Sequence, residues 1–549
     1  MADQNYYYVK WSGYAEIEGT RVDILSFEIT YELNEIPTAT FFPVVGRDAQ
    51  TGEEAEGIDA LINAKPYTPI KIYMTGETEL DSPQAPDEPG FPYGEDTLVF
   101  DGVFQGVRYR STRQLGTGKG VVGLAASASG WLVGLVGTSA NNTKTTVKGA
   151  GGFAEAANLG IDGNPLLSAI FNITTAVSSN VNNAVDDLWK SFIKPLFLSI
   201  ANNETVWGDT ENDSALEALN RMDDEEQFGS DAELLLTFGE IRGDVPKETV
   251  GEWLLTTLVA NLYYQWRTKS IWDALKAAAN EFTFQIVPLI DTATCAPVFG
   301  ALGGDAYIIV APDEYHDINI TFRTPQLITK VVVTSGNVGQ VSPWADGPRY
   351  SAVIGQASAD DVTPLAYEGA TISVQAPHWL AAEPTIGKLT KVGLGKDEFG
   401  IPDGTNPEFQ QYTPQDDENY TRIYNSFITS EMGNAYARLK LLNVMLKART
   451  GSLTGRFRLD IAPGSTIAVE VIGGGKFSDS QEPRYIYGLV QSVVLKMDGG
   501  AGGTGNASTT LFLRNVMTAQ EHDGYLGILT EEKHPVFQAR YGGAKLTGE

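Results

Sequence analysis

The residues best equipped for chemistry in this sequence stand together at Asp313-Glu314-Tyr315-His316-Asp317. Their carboxylates and imidazole offer oxygen and nitrogen ligands to a divalent ion if the loop folds back on itself. The flanks favour a plainer reading, a solvated turn leading into a strand over residues 318–322. Other matches fail on their own requirements. Gly116-Thr-Gly-Lys-Gly120 resembles a phosphate loop, but Arg113 stands where the first glycine is needed and Gly120 replaces the Ser/Thr that holds magnesium. Gly500, Gly502 and Gly505 have G-x-G-x-x-G spacing, yet residues 509–513 read as a strand, and a dinucleotide fingerprint must open a helix. The four histidines, His316, His378, His522 and His534, lie in no H-E-x-x-H or Cys/His cluster. The acidic runs Asp223-Asp224-Glu225-Glu226 and Asp416-Asp417-Glu418 read as solvated charge. A carboxylate pair for glycoside hydrolysis needs only spacing in three dimensions, and nothing among 69 acidic residues nominates one. The sequence therefore assigns no catalytic, cofactor-binding or metal residue.

The elements that would position a site follow from periodicity. Leu25, Phe27, Ile29, Tyr31 and Leu33 alternate with Ser26, Glu28, Thr30 and Glu32, the period of two of a half-buried strand with carboxylates on its outer face. Asn34-Glu35-Ile36-Pro37 breaks that run, and residues 38–45 resume an extended pattern. Further strands are expected at 69–74, 97–104 and 107–111, with 76–95 as a long exposed loop. Residues 121–136 fit a buried strand followed by a helix and fall short of a membrane span. A helical stripe then runs through Leu166, Ile170, Ile173, Val177, Val181, Ala184, Leu188 and Phe192 to Pro195. Helices are expected at 213–221, 247–266 and 270–280, the last running into a strand over 282–288. β patterning returns at 327–334, 371–375, 457–461, 466–471, 486–497 and 509–514. One helix, carrying Ala435, Leu439, Leu442 and Leu446 on one face, interrupts it. No short tandem repeat occurs; the coarser echo is one β module at each end with helices between.

Charge narrows the function. Thirty-nine Lys+Arg against 69 Asp+Glu leave −30 over 549 residues, which argues against gripping phosphate backbones or anionic membranes. Residues 1–100 hold 5 basic and 19 acidic side chains, hence −14. Cys295 is the single cysteine, so no intrachain disulfide forms. With a polar N-terminal segment and no apolar span, the expectation is a soluble protein made in the cytoplasm without membrane anchoring.

The two ends carry a resemblance. Tyr8-Val-Lys-Trp-Ser-Gly13, the strand over 25–33 and Asn34-Glu-Ile-Pro-Thr-Ala-Thr40 resemble the opening of bacteriophage baseplate or tail hub proteins, where a strand pair precedes an N-x-I/V-P-x-A turn. Thr97-Leu-Val-Phe-Asp-Gly102-Val-Phe is similar to their next strand, and Ser270-Ile-Trp-Asp-Ala-Leu275 through Phe284 to their central helix-then-strand element. Gly455-Arg-Phe, Ile461-Ala-Pro-Gly464-Ser-Thr-Ile-Ala-Val469, Tyr485-Ile-Tyr-Gly-Leu-Val-Gln-Ser-Val493 and residues 509–513 resemble their second barrel. The base of type VI secretion spike proteins shares that fold, but the repeated V-x-G units of a spike are missing from the sequence.

The resemblance implies an α+β, mainly β chain: two tail-tube-like β-barrel modules, an inserted helical region and a central helix-strand element. The expected domains are a first barrel at 1–139, a mostly helical insertion at 140–245 and an α/β connection at 246–325. A second barrel with one helix follows at 326–520, then a tail at 521–549. It further implies a non-enzymatic homotrimer in the virion tail, joining a six-fold tail tube or distal tail protein to a three-fold spike or tip. A tape-measure protein would be a lumenal partner, and genomic DNA would pass through during ejection without specific binding. Repulsion fits passage, since each Lys or Arg contact with phosphate would retard it. The competing classes are a tail-associated peptidoglycan hydrolase with an unrecognised carboxylate pair, and a receptor-binding tail protein, for which 521–549 is short.

Overall fold

The computed structural model describes residues 9–44, 58–78, 96–113, 120–136, 213–222, 270–282, 284–290, 295–299, 307–312, 314–321, 328–334, 353–358, 369–375, 392–393, 410–411, 449–471, 484–498 and 506–519, with isolated residues at 194, 197–198, 521–522 and within 434–447. In chain order the elements are β1 (Val9–Ile17), β2 (Thr20–Glu32), β3 (Thr38–Pro43), α1 (Ile58–Asn63), β4 (Pro69–Thr78), β5 (Thr97–Arg113), β6 (Gly120–Ser129) and a 3-10 turn (Trp131–Leu135). Helices α2 (Asp213–Asn220) and α3 (Ile271–Phe282) follow, then β7 (Phe284–Pro288), β8 (Cys295–Phe299), β9 (Tyr307–Val310) and β10 (Tyr315–Thr321). The last elements are β11 (Ile328–Thr334), β12 (Val353–Ser358), β13 (Ala370–Gln375), β14 (Val392–Gly393), β15 (Gln410–Gln411), β16 (Thr450–Arg456), β17 (Thr466–Val471), β18 (Arg484–Asp498) and β19 (Asn506–Thr518). Among the described residues the chain is mainly β. The expected helices at 166–192 and 247–266, the acidic runs at 223–226 and 416–418, the helix face Ala435, Leu439, Leu442 and Leu446, and His378 and His534 lie outside the described residues.

Among the described residues twelve strands share one sheet, and they fall into two groups of six. In the first group the pairings run β1-β4-β5-β6-β3-β2 and return to β1. The β1–β2 hairpin turns on Glu18-Gly19, both at positive φ (51° and 77°), the two-residue geometry whose twist matches that of the strands it joins. In the second group the order is β9-β17-β18-β19-β16-β10. Read position by position, the six strands of each group take the same spatial order while keeping the same chain order. Among the described residues two pairings differ: β9 lies parallel to β17 where β1 is antiparallel to β4, and β9 does not pair with β10. Across that second gap Tyr315 Oη donates to the Glu470 carbonyl at 2.9 Å.

The likeness extends to irregularities. Register shifts fall between Ile24 and Ser26 in β2 and between Tyr315 and Asp317 in β10, the same place relative to β3 and β16. They fall again between Phe104 and Gly106 in β5 and between Val490 and Ser492 in β18. Aligned on these bulges, Gly102-Val-Phe-Gln-Gly-Val107 matches Gly488-Leu-Val-Gln-Ser-Val493, and Ile29-Thr30-Tyr31 matches Ile320-Thr321-Phe322. The chain contains a duplicated six-strand module, interrupted in its second copy by residues 322–449, where β11–β13 form a separate three-stranded sheet.

The modules meet where β2 pairs antiparallel with β18, and one apolar core runs through both. Trp11 of β1 packs on Phe457 with ring centroids 5.7 Å apart. Inward residues of β2 are Phe27, Ile29 and Tyr31, as the alternation predicts. Leu25, expected on that face, is instead 42% exposed, because the bulge flips the phase and buries Ile24. The expected strands at 97–104 and 107–111 are one strand, β5, bent by its bulge. The expected strand at 457–461 is irregular: Phe457 and Ile461 anchor it in the core while Arg458 and Asp460 turn aside to pair with each other. Tyr31 is fully buried and donates to the Val99 carbonyl at 2.7 Å. Tyr31→Phe is expected to cost about 1 kcal/mol, the net worth of such a bond, read as a lowered urea midpoint.

Candidate functional site

The place where the fold brings distant residues to one purpose is the seam between modules. On one edge, β2 pairs with β1 through Ile24 and then, from Ser26 to Glu32, with β18. In the same manner, β18 pairs with β17 through Leu489 and then, from Ser492 to Asp498, with β2. Each strand thus leaves its own module halfway along and zips to the other module. Leu495 faces Ile29 across the seam, both fully buried, and Lys496 Nζ meets Glu28 Oε2 at 2.9 Å. Gln491 Nε2 donates to Glu32 Oε1 at 3.3 Å. Both carboxylates that the sequence places on the outer face of this strand therefore have partners on β18.

The central helix-strand element braces the seam. Ser270 caps α3 by accepting from the Asp273 N–H at 3.1 Å while its hydroxyl donates to the Asp273 carboxylate at 2.9 Å. Lys276 on α3 reaches Glu35 at 2.6 Å. Asn34 sits at φ 62°, a left-handed position that asparagine tolerates. From there its amide oxygen accepts the Ile286 N–H at 2.8 Å and its N–H donates to the Ile286 carbonyl at 2.9 Å. The Asn34-Glu35-Ile36-Pro37 turn is thereby docked on β7.

In the metal-like cluster, Glu314 is taken up by contacts within the fold. Glu314 Oε2 accepts the Ala311 N–H at 2.7 Å, closing the turn between β9 and β10, and takes Arg458 Nη1 at 3.0 Å; its Oε1 takes Arg456 Nη2 at 2.7 Å. His316 and Asp317 are exposed beside it, and Asp313 lies outside the described residues. Among the described residues no group of three acidic, His or Cys side chains could hold a metal. His522 is buried, stacked on Tyr487 at 4.0 Å, next to Glu521, which receives Arg449 through both carboxylate oxygens at 2.8 Å. Cys295 is fully buried and burial pushes its thiol pKa up, away from nucleophilic use. Arg113 and Gly120 close one hairpin and Asp498 and Asn506 another, so both glycine motifs are strand connections whose tips lie outside the described residues.

A shallow groove of about 550 Å³ crosses the seam, lined by Thr30, Glu32, Asn319, Thr321, Gln491 and Ser492 and by the apolar Val494, Phe512 and Leu513, among others. Its amides and hydroxyls can hydrogen-bond a surface laid against them, and its one carboxylate is that of Glu32. Sequence reading missed this seam. A trace of the duplication behind it is the pair Gly102-Val-Phe-Gln-Gly-Val107 and Gly488-Leu-Val-Gln-Ser-Val493.

No family model and no curated protein matches the chain. Among solved structures it is similar to a tail protein from Neisseria meningitidis MC58, at 11% identity and TM-score 0.35 over 92% of this chain and 96% of that one. It is also similar to the 43 kDa tail protein of prophage MuSo2 from Shewanella oneidensis, at 8% identity and TM-score 0.37 over 91% and 97%. A third is the E. coli c3393 protein, described as a type VI secretion component with structural similarity to the T4 tail proteins gp27 and gp5, at 8% identity and TM-score 0.31 over 93% and 78%. These three solved structures are two tail proteins and one type VI secretion component.

Proposed function

We propose that this chain is a structural subunit of a phage tail hub, without catalytic activity of its own. Three copies would form a ring that adapts the six-fold tail tube to a three-fold spike or tip and leaves a channel for DNA. The observation that carries this reading is the duplicated six-strand module. Three chains with two like modules each present six similar units around one axis, so a six-fold neighbour meets six equivalent surfaces while the chain count stays at three. Each module would then be a barrel, the first closed by its β1–β2 pairing. The order of the hub-like motifs in the sequence supports the same assignment, and so does the acidity. Three copies carry 3 × −30 = −90, a charge that repels rather than grips a passing duplex. Pairing of Glu28 with Lys496 moderates that repulsion at the seam.

Light scattering of the purified chain with electron microscopy tests the reading. The expected result is a three-fold ring with a central opening wide enough for duplex DNA. A stable monomer or a closed disc would overturn it. Robust cell-wall cleavage, abolished by one acidic substitution, would move the protein to the hydrolase class instead.

A further inference from the structure

Each module edge mated at the internal seam has a counterpart elsewhere on the chain that pairs with no further strand among the described residues. The occupied edges are β2 from Ser26 onward and β18 from Ser492 onward. Their equivalents are β10 in the second module and, in the first, β5 beyond its bulge. Among the described residues, β10 pairs only with β16, and β5 beyond Phe104 pairs only with β6. An open strand edge presents a row of unpaired N–H and C=O groups, ready to take another strand.

Side-chain exposure follows the same logic. Leu495, covered by β2, is fully buried, whereas Tyr109, at the matching place on β5, is 63% exposed. Phe27 and Ile29 of β2 are buried, while their counterparts on β10, Ile318 and Ile320, are only half-buried. Large apolar side chains are thus left uncovered at the positions where the seam covers their equivalents.

We propose that the open edge of β5 on one copy pairs antiparallel with the open edge of β10 on the next copy, repeating the internal seam between chains. Transferring the β2–β18 register through the aligned bulges sets Arg108 opposite Thr321, Tyr109 opposite Ile320, Arg110 opposite Asn319, Ser111 opposite Ile318 and Thr112 opposite Asp317. The occupant is a second copy of this chain, because the two edges complement each other and not themselves. Such a contact is heterologous, head to tail, and forms a ring where its rotation closes. Closure at three copies rests on the hub reading above; the strand pairing rests on the duplicated strands alone.

The test is disulfide trapping in the full chain. Directly opposed residues of an antiparallel pair stand within the Cα separation a disulfide requires. A chain carrying both Y109C and I320C, or both R108C and T321C, is expected to form covalent multimers on mild oxidation that end at a closed trimer in denaturing gels. Y109C combined with I318C, two residues out of register, is expected to cross-link at least tenfold more slowly. Tyr109→Asp, at an exposed position that leaves the subunit folded, is expected to weaken assembly at least tenfold. Assembled particles without in-register cross-links would overturn the pairing and leave the hub reading intact. A covalent ladder running past three copies would keep the pairing and overturn the three-fold ring. A chain that stays monomeric at high concentration would overturn both.

Discussion

Replacing Glu314 by alanine is expected to lower the stability of the second module by about 3 kcal/mol, the low end for breaking a buried ion pair from one side. The carboxylate does three jobs at once. It caps the Ala311 N–H and holds both Arg456 and Arg458, and the Arg458 side chain is only 10% exposed. Removing it leaves a guanidinium in poor solvent and frees the turn between β9 and β10. Asp460 still accepts from Arg458 Nε at 2.9 Å and Nη2 at 2.5 Å, which keeps the loss from reaching the top of the range. Glu314→Gln retains one oxygen to accept from the Ala311 N–H and Arg458, but it loses the charge and puts an NH2 where Arg456 needs an acceptor, so it should fall between wild type and alanine. The measurement is the urea midpoint at constant slope. Equal midpoints for all three proteins would mean that Asp460 alone secures Arg458. Because the turn sets the start of β10, the alanine variant should also weaken assembly through that strand.

What the sequence made legible here was local. Alternation placed Phe27, Ile29 and Tyr31 inward, and Asn34 through Pro37 announced a turn that the left-handed Asn34 does make. The helix that starts near Ser270 and its run into a strand ending at Pro288 followed from the same short-range chemistry. What stayed hidden was non-local. A bulge adds one residue and reverses the phase of everything beyond it, so Leu25 reads as core and lies outside. Residues 457–461 have strand-like spacing, yet the Arg458–Asp460 pair two residues apart holds a bend. The duplication was masked for a similar reason. Strands β2 and β3 are separated by a short turn, while their equivalents β10 and β16 are separated by residues 322–449. Side chains facing solvent in one copy face a partner strand in the other, so Arg108 and Val494 occupy the same place with opposite chemistry. The likeness that survives is short: the paired bulges, Gly102-Val-Phe-Gln-Gly-Val107 against Gly488-Leu-Val-Gln-Ser-Val493, and Ile29-Thr30-Tyr31 against Ile320-Thr321-Phe322.

That shared glycine separates the two modules in a testable way. Gly102→Ala is expected to destabilise the protein by about 3 kcal/mol, whereas Gly488→Ala at the equivalent position should cost under about 1 kcal/mol. A β-carbon on Gly102 would drive into the Ser129 carbonyl oxygen and the Phe100 ring. The oxygen is fixed backbone beside the β5–β6 ladder, and Phe100 is fully buried, so neither can yield cheaply. A β-carbon on Gly488 would meet Leu513 at 3.3 Å from its Cδ1, the end of a flexible side chain that can shift by a few tenths of an ångström. Urea midpoints of the two variants decide the matter, with near-equal losses counting against the packing argument. The outcome also bears on assembly. Gly102 lies just ahead of the bulge that turns β5 toward its open edge, so Gly102→Ala should displace Tyr109 and slow the Y109C–I320C cross-link. Gly488→Ala lies in the stretch of β18 that pairs within its own module and should leave that cross-link at the unmodified rate.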